Sequence, residues 1–113
     1  TKISLGKNNL QNDQLTVKAA AKTDIWLQVK NFPRSHEIIH DPHPNQRTLL
    51  RAANLAAYFS KSLHSATVPV DYVMVKKVRK PHGARPGFVI YEGQKTLYVT
   101  PDEQLIKTLR AKN

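Results

Sequence analysis

Residues 70–75 read VDYVMV, a run rich in β-branched residues and apolar on both alternating faces. Such a run belongs in the interior of a sheet, because an edge or half-solvated strand would alternate apolar with polar residues. The same run then turns basic, continuing as KKVR, so the spacing predicts one strand over 70–79 with a charged far end. On that reading Val73, Val75, Lys77 and Arg79 share one face and Met74, Lys76 and Val78 the other, which delivers positive groups to both sides of the strand end.

The basic character extends beyond the strand. Residues 76–91 hold Lys76, Lys77, Arg79, Lys80 and Arg85 and no acidic residue. A positive patch of this kind attracts phosphate backbones, anionic lipid and acidic protein surfaces alike, or serves as a solvated loop that keeps the domain soluble. The whole chain follows the same trend, with 18 Lys and Arg against 8 Asp and Glu, a net charge of +10. With 40% apolar residues it is still able to fold, and 113 residues suffice for one core, so a single domain spanning 1–113 is expected. The absence of cysteine excludes a disulfide scaffold, a thiolate metal site and a cysteine nucleophile, and points to a reducing, cytoplasmic compartment. No apolar run is long enough for a membrane span and no leader pattern is present, so membrane insertion is not expected. The start at Thr1 in place of Met reads as a fragment of a longer chain.

Around the central strand the sequence places further elements. Residues 2–5 alternate as a strand. GKNNLQND, residues 6–13, is turn chemistry, with Asn12 or Asp13 able to cap a short helix over about 13–22. In DIWLQVK, residues 24–30, Ile25, Leu27 and Val29 share one face and Trp26, Gln28 and Lys30 the other; Pro33 breaks the run, and a second short strand over 36–40 pairs with it through a loop around Asn31 to Ser35. Pro44 suits the first turn of the longest helix, which ends near Leu63. Its Leu49, Ala52, Ala53, Ala56, Phe59 and Leu63 make an Ala-rich face for close packing on a sheet. The opposite side gathers Arg47, Arg51, Asn54, Tyr58 and Lys61 within about 80°. That stripe is as readily a solvated face as a contact surface. PHGARPG, residues 81–87, is a rigid turn, FVIY and TLYV flank Glu92-Gly93-Gln94 as a hairpin, and a last helix runs over about 102–110 behind Thr100 and Pro101. The sum is an α+β fold: a mixed or antiparallel sheet of about six strands with about three helices.

Patterns that would carry catalysis are weak. His36, His40 and His43 with Asp41 form the tightest set of potential metal ligands, but His43 lies between two prolines with no defined direction, so a polar loop outweighs a metal site. Ser35, His36 and Asp24 supply triad residue types without a nucleophile elbow. Gly6-Lys7 lacks the second half of a phosphate loop. What remains is basic surface with aromatics, in which Lys7, Lys18, Lys22 and Lys30 join the 76–85 patch and can track a nucleic-acid backbone. Trp26 is either a base-stacking ring or a half-buried aromatic beneath a helix.

Longer strings are more specific than any of these patterns. GKNNLQND, DIWLQVKNFPRSH, TLLRAANLAAYFSKS, VPVDYVMVKKVRKPHGARPGFVIY and QKTLYVTPD, over about residues 5–102, resemble the NFACT-R domain, the C-terminal domain of bacterial fibronectin-binding proteins of the FbpA type. The sequence departs from the family pattern at Gln28, where His is usual, at Arg34, where Gly is usual, and at Glu37, where an apolar residue is usual. The resemblance implies a non-catalytic RNA-binding domain, without cofactors, of a ribosome-associated quality-control factor. Such factors bind an obstructed large ribosomal subunit, recruit alanyl-tRNA and support alanine tailing. It also implies a different class of function, a fibronectin- or fibrinogen-binding adhesin displayed at the cell surface without a signal peptide. For RNA the residues expected to hold phosphates are Lys76, Lys77, Arg79, Lys80 and Arg85; next come Lys7, Asn8, Asn9 and Asn12, expected to hydrogen-bond backbone or base edges, with Trp26, Lys30, Arg34, Arg47 and Arg51 as further RNA-binding candidates.

Overall fold

The alanines of the long periodic segment lie where their spacing places them. In the computed structural model, which describes residues 1–32, 35–60 and 67–101, helix α2 (Gln46–Phe59) buries Ala52, Ala53, Ala56 and Ala57 completely. Side chains this small let the helix approach the sheet beneath it closely. The helix starts later than predicted. Asn45 is the N-cap, its Oδ1 accepting from the Thr48 N–H at 2.9 Å, so Pro44 stands before the cap and not in the first turn. Its C-cap is Ser60, short of Leu63, and Lys61 and Leu63 lie outside the described residues, as do Arg34 and the helix predicted over 102–110. Asn54, expected on the outward stripe, is buried and donates through Nδ2 to the Leu50 carbonyl at 3.0 Å.

Beneath α2 lie five strands: β1 (Ile3–Gly6), β2 (Ile25–Val29), β3 (His36–Ile39), β4 (Val68–Met74) and β7 (Lys95–Val99). Their order is β1-β3-β2-β4-β7, and every pairing is antiparallel. The β2–β3 hairpin and the interior position of β4 agree with the sequence. The length of β4 does not. It ends at Met74, a 3-10 turn (Val75–Lys77) follows, and a separate short strand β5 (Val78–Arg79) pairs with β6 (Ile90–Tyr91) as a second, two-stranded sheet. The predicted FVIY–TLYV hairpin is therefore absent: β6 pairs with β5, and β7 pairs with β4. Alternation identifies strands but carries no information about which neighbour each one takes.

Both faces of the large sheet are covered. Ile25, Leu27, Val29, Ile39, Val70 and Val99 pack under α2. On the other face Trp26, Ile38 and Val73 join Val75 and Val78 from the turn and ribbon, with Leu15, Ala20, Val89 and Tyr91 against them. Full burial of each large apolar side chain contributes roughly 1.5–3 kcal/mol. Trp26 is thus a core residue of this second cluster, edge-on to His36 and 4.6 Å from the Tyr91 ring, with no exposed surface for a base. The first helix also differs from expectation: α1 (Asn9–Asp13) begins inside the supposed turn, capped by Asn8, whose Oδ1 accepts from the Gln11 N–H at 2.9 Å, and widens into a π-helical stretch, Gln14–Ala19. Asn12 sits within that helix and is buried, its Oδ1 accepting from the His36 N–H at 3.1 Å. Among the described residues no helix is long and apolar enough to cross a membrane.

Candidate nucleic-acid interface

The basic run forms an elbow. Val73, Val75 and Val78 are buried in the second cluster and anchor the chain as it leaves the large sheet. The Val75 N–H donates to the Asp24 carbonyl at 2.9 Å and the Lys76 N–H to the Lys22 carbonyl at 3.0 Å, which fixes the turn against the loop before β2. With the valines facing inward, Lys76, Lys77 and Arg79 are left exposed. The 3-10 turn breaks the two-residue alternation that the sequence predicts over 73–79, so these cations gather on a bend and do not split between two faces of one strand.

Two clefts open beside the elbow. One, of about 180 Å³, is lined by Lys76, Lys77, Arg79, Ile90, Tyr91 and Glu92. The other, of about 200 Å³, brings Arg79 and Lys80 near Lys22 and Thr16. Among the described residues three cations and a single carboxylate, Glu92, line this small cleft, which forms an anion-receiving surface on a turn fixed by the backbone. Ile90, Tyr91, Glu92 and Lys95 escape the sequence reading, because placing them requires knowing that β6 returns to β5 and that Lys95 lies opposite Tyr72 in the β4–β7 register.

The remaining predicted residues scatter. Lys80 Nζ is 2.9 Å from Asp13 Oδ1, an oxygen that also accepts from the Gly87 N–H at 2.9 Å, so this lysine clips the 81–87 turn to α1. Those donors hold the Asp13 carboxyl below its ordinary range. Arg85 is exposed on the turn, and Asn9 packs against Gly87. Asn8 serves as the cap. Lys7 Nζ stands 4.5 Å from the centre of the Phe59 ring. Lys30, at the opposite end of β2 from the elbow, pairs with buried Asp71 at 3.2 Å. Arg47 is exposed and Arg51 half-buried on α2, in the layer across the sheet from the ribbon.

Of the histidines predicted as potential ligands, His36 and His40 are tied into the fold by their rings, and His43 is exposed. His36 is buried with Nδ1 2.8 Å from Thr16 Oγ1, and burial lowers its pKa from 6.5 to about 4. Among the described residues no group of three or more His, Asp or Glu could hold a metal ion. A serine–histidine–aspartate chain does exist and includes the predicted Asp24, but with Ser4 and His40 in place of Ser35 and His36: Ser4 Oγ is 2.7 Å from His40 Nε2, and His40 Nδ1 is 3.1 Å from Asp24 Oδ2. Ser4 lies mid-strand opposite Ile38 and not on a sharp strand-to-helix turn, and Asp24 Oδ2 also accepts from the Ala21 N–H at 2.9 Å. Ser35 instead donates to the Gly6 carbonyl at 2.8 Å and is 3.1 Å from Glu37 Oε1. Glu37 is fully buried, which raises its pKa well above 4.5.

No protein-family model matches the chain. It is 49% identical over 108 residues, 96% of its length, to the Rqc2 homolog RqcH of Bacillus subtilis (strain 168). Over 111 residues it is 52% identical to the Rqc2 homolog RqcH of Streptococcus suis (strain 05ZYH33). These proteins are homologues of the chain along nearly its whole length, while the chain spans about a fifth of theirs, 19% and 20% respectively. The solved structure of the C-terminal part of the fibronectin/fibrinogen-binding protein from Streptococcus suis has the same fold, with a TM-score of 0.89 at 52% identity, covering 94% of this chain and 43% of that one.

Proposed function

We propose that this chain is an RNA-binding domain, non-catalytic by itself, of a ribosome-associated quality-control factor. The factor binds obstructed large ribosomal subunits in the cytoplasm, works with tRNA and supports alanine tailing. The observation that carries this reading is the elbow, where Lys76, Lys77 and Arg79 are held outward around one cleft by valines committed to the core. Fixed cations of this kind use the counterion-release term of phosphate binding without first ordering a loop. The resemblance to NFACT-R domains and the near 50% identity to RqcH proteins support the same reading. Because the chain spans a fifth of those relatives, tRNA recruitment and tailing are assigned to the whole factor, and RNA contact to this domain. Ser4 in extended backbone and the structural use of His36 and His40 support a non-catalytic role.

A second reading, a fibronectin- or fibrinogen-binding domain at the cell surface, is favoured by the likeness to the streptococcal fibronectin/fibrinogen-binding protein. Anisotropy of labelled tRNA, titrated with the domain across salt and competed with duplex DNA of equal charge, separates the two. RNA recognition gives steeply salt-dependent binding that DNA does not displace. Replacing Lys76, Lys77 and Arg79 with Ala is then expected to reduce the slope of log K against log salt by about 2–3. Absent tRNA binding, together with saturable and salt-resistant fibronectin binding, would instead select the adhesin.

A further inference from the structure

On the α2 side of the elbow lies a third cavity, of about 260 Å³, with a different character. Ile25, Tyr72, Val73 and Met74 line it, while Lys76, Lys77 and Lys95 stand on its wall. The register explains the grouping: Ile25 is opposite Met74 and Tyr72 is opposite Lys95, so β2, β4 and β7 present an aromatic ring, a thioether and a cation side by side. Gly93 completes the lining, and a Cβ added there would meet nothing within 4 Å, so this part of the wall is open. Lys76 and Lys77 line both this cavity and the cationic cleft on the other side of the turn.

Building on the RNA-binding reading, we propose that the elbow captures a single unstacked nucleotide. The base enters the cavity against Tyr72 and Met74, and the flanking phosphates lie on Lys76, Lys77 and Lys95. Size supports one base: the site is a groove open to solvent, and its volume of about 260 Å³ gives room for a fused purine to lie on the apolar floor, where an enclosed cavity of roughly 150 Å³ holds a benzene ring. Chemistry supports a nucleotide over other anions. An acidic peptide would satisfy the lysines and leave the apolar floor empty, whereas a nucleotide joins a flat π-face to an adjacent phosphate, the pairing that single-strand binding surfaces use. A regular duplex keeps its bases stacked inside, so the site selects loops, bulges and single strands.

The test compares oligo(A) and oligo(U) RNA octamers with an abasic octamer of the same backbone and charge. The proposal expects the base-bearing octamers to bind about fivefold or more tightly than the abasic one. Tyr72→Ala should remove that advantage while leaving abasic binding unchanged. Met74 is the sole methionine of the chain, so its methyl is a unique NMR reporter. In the unaltered protein it should show cross-peaks to base protons, which keeps the test decisive if Tyr72→Ala fails to fold. Equal binding of intact and abasic octamers without Met74 contacts would overturn the base site while leaving RNA binding through the lysines intact. Failure of all octamers and of tRNA to bind would remove the RNA reading itself, and this proposal with it.

Discussion

The Tyr91 hydroxyl donates to Asp71 Oδ2 at 2.6 Å, joining the two-stranded ribbon to the interior strand β4 of the large sheet. Asp71 is fully buried, and its Oδ1 accepts from Thr96 at 2.8 Å and lies 3.2 Å from Lys30 Nζ. One carboxylate thus ties β4 to β6, to β7 and to the end of β2. Burial and the adjacent carboxylate raise the Tyr91 pKa far above its ordinary value, which keeps the hydroxyl a donor. Since Tyr91 also lines the cationic cleft, the same bond positions one wall of the candidate interface.

Tyr91→Phe keeps the ring against Trp26 and deletes the donor to a buried charge. It is expected to cost about 1–3 kcal/mol, read as a lower urea midpoint at unchanged m-value. Asp71→Ala, which also strands Lys30 and Thr96, should cost more.

Glu37 makes stability fall with rising pH. The unfolded chain ionises this carboxyl near 4.5, whereas burial keeps it protonated in the fold, so its contribution is fullest below pH 4.5 and is lost as pH rises toward the raised folded pKa. Glu37→Gln is expected to be more stable than the parent at pH 7 and closest to it at pH 4. Urea midpoints over pH 4–8 check this.

His36 acts in the opposite direction. Its folded pKa of about 4 lies below the ordinary 6.5, so its contribution is present above pH 6.5 and is lost as pH falls toward 4. In Glu37→Gln, where the opposing slope is gone, acidification across that window should cost roughly 3 kcal/mol from His36. Adding His36→Gln to that background should flatten the curve.

Gly87 and Gly93 separate two costs of a side chain. Both have positive φ, 83° and 73°, but a Cβ at Gly87 would stand 2.9 Å from the Asn9 carbonyl oxygen, whereas one at Gly93 meets nothing within 4 Å. Gly93→Ala should cost about 1–2 kcal/mol from backbone strain. Gly87→Ala should cost measurably more, and the difference between their melting temperatures reads the clash with α1.

Asp13→Ala removes the acceptor of both Lys80 and the Gly87 amide. Hydrogen exchange at Gly87 is expected to accelerate, with a modest global loss of about 1 kcal/mol. Unaltered protection would show that packing against Asn9 suffices to hold the turn.

Short-range regularities were legible without any structure. The Ala face of α2 follows from three- and four-residue spacing, the β2–β3 hairpin from two adjacent alternating runs, and the interior place of β4 from VDYVMV, because each depends on residues close in the chain. The candidate interface was legible in composition: Lys76, Lys77 and Arg79 stand out in a run without acids, and they do gather at one cleft. Tertiary structure decided the rest. Trp26 alternates onto a face that looks polar in sequence, and only the arrival of the ribbon and the first helix over that face buries it. Lys80 and Lys30 look like any other cations until Asp13 and Asp71 are brought beside them from 67 and 41 positions away in the chain. Partner choice of this kind is set by the free energy of packing whole layers together, which no local window contains. That is why the strand pairing of β6, the bend at Val75–Lys77 and the cavity under Tyr72 emerge only from the folded chain.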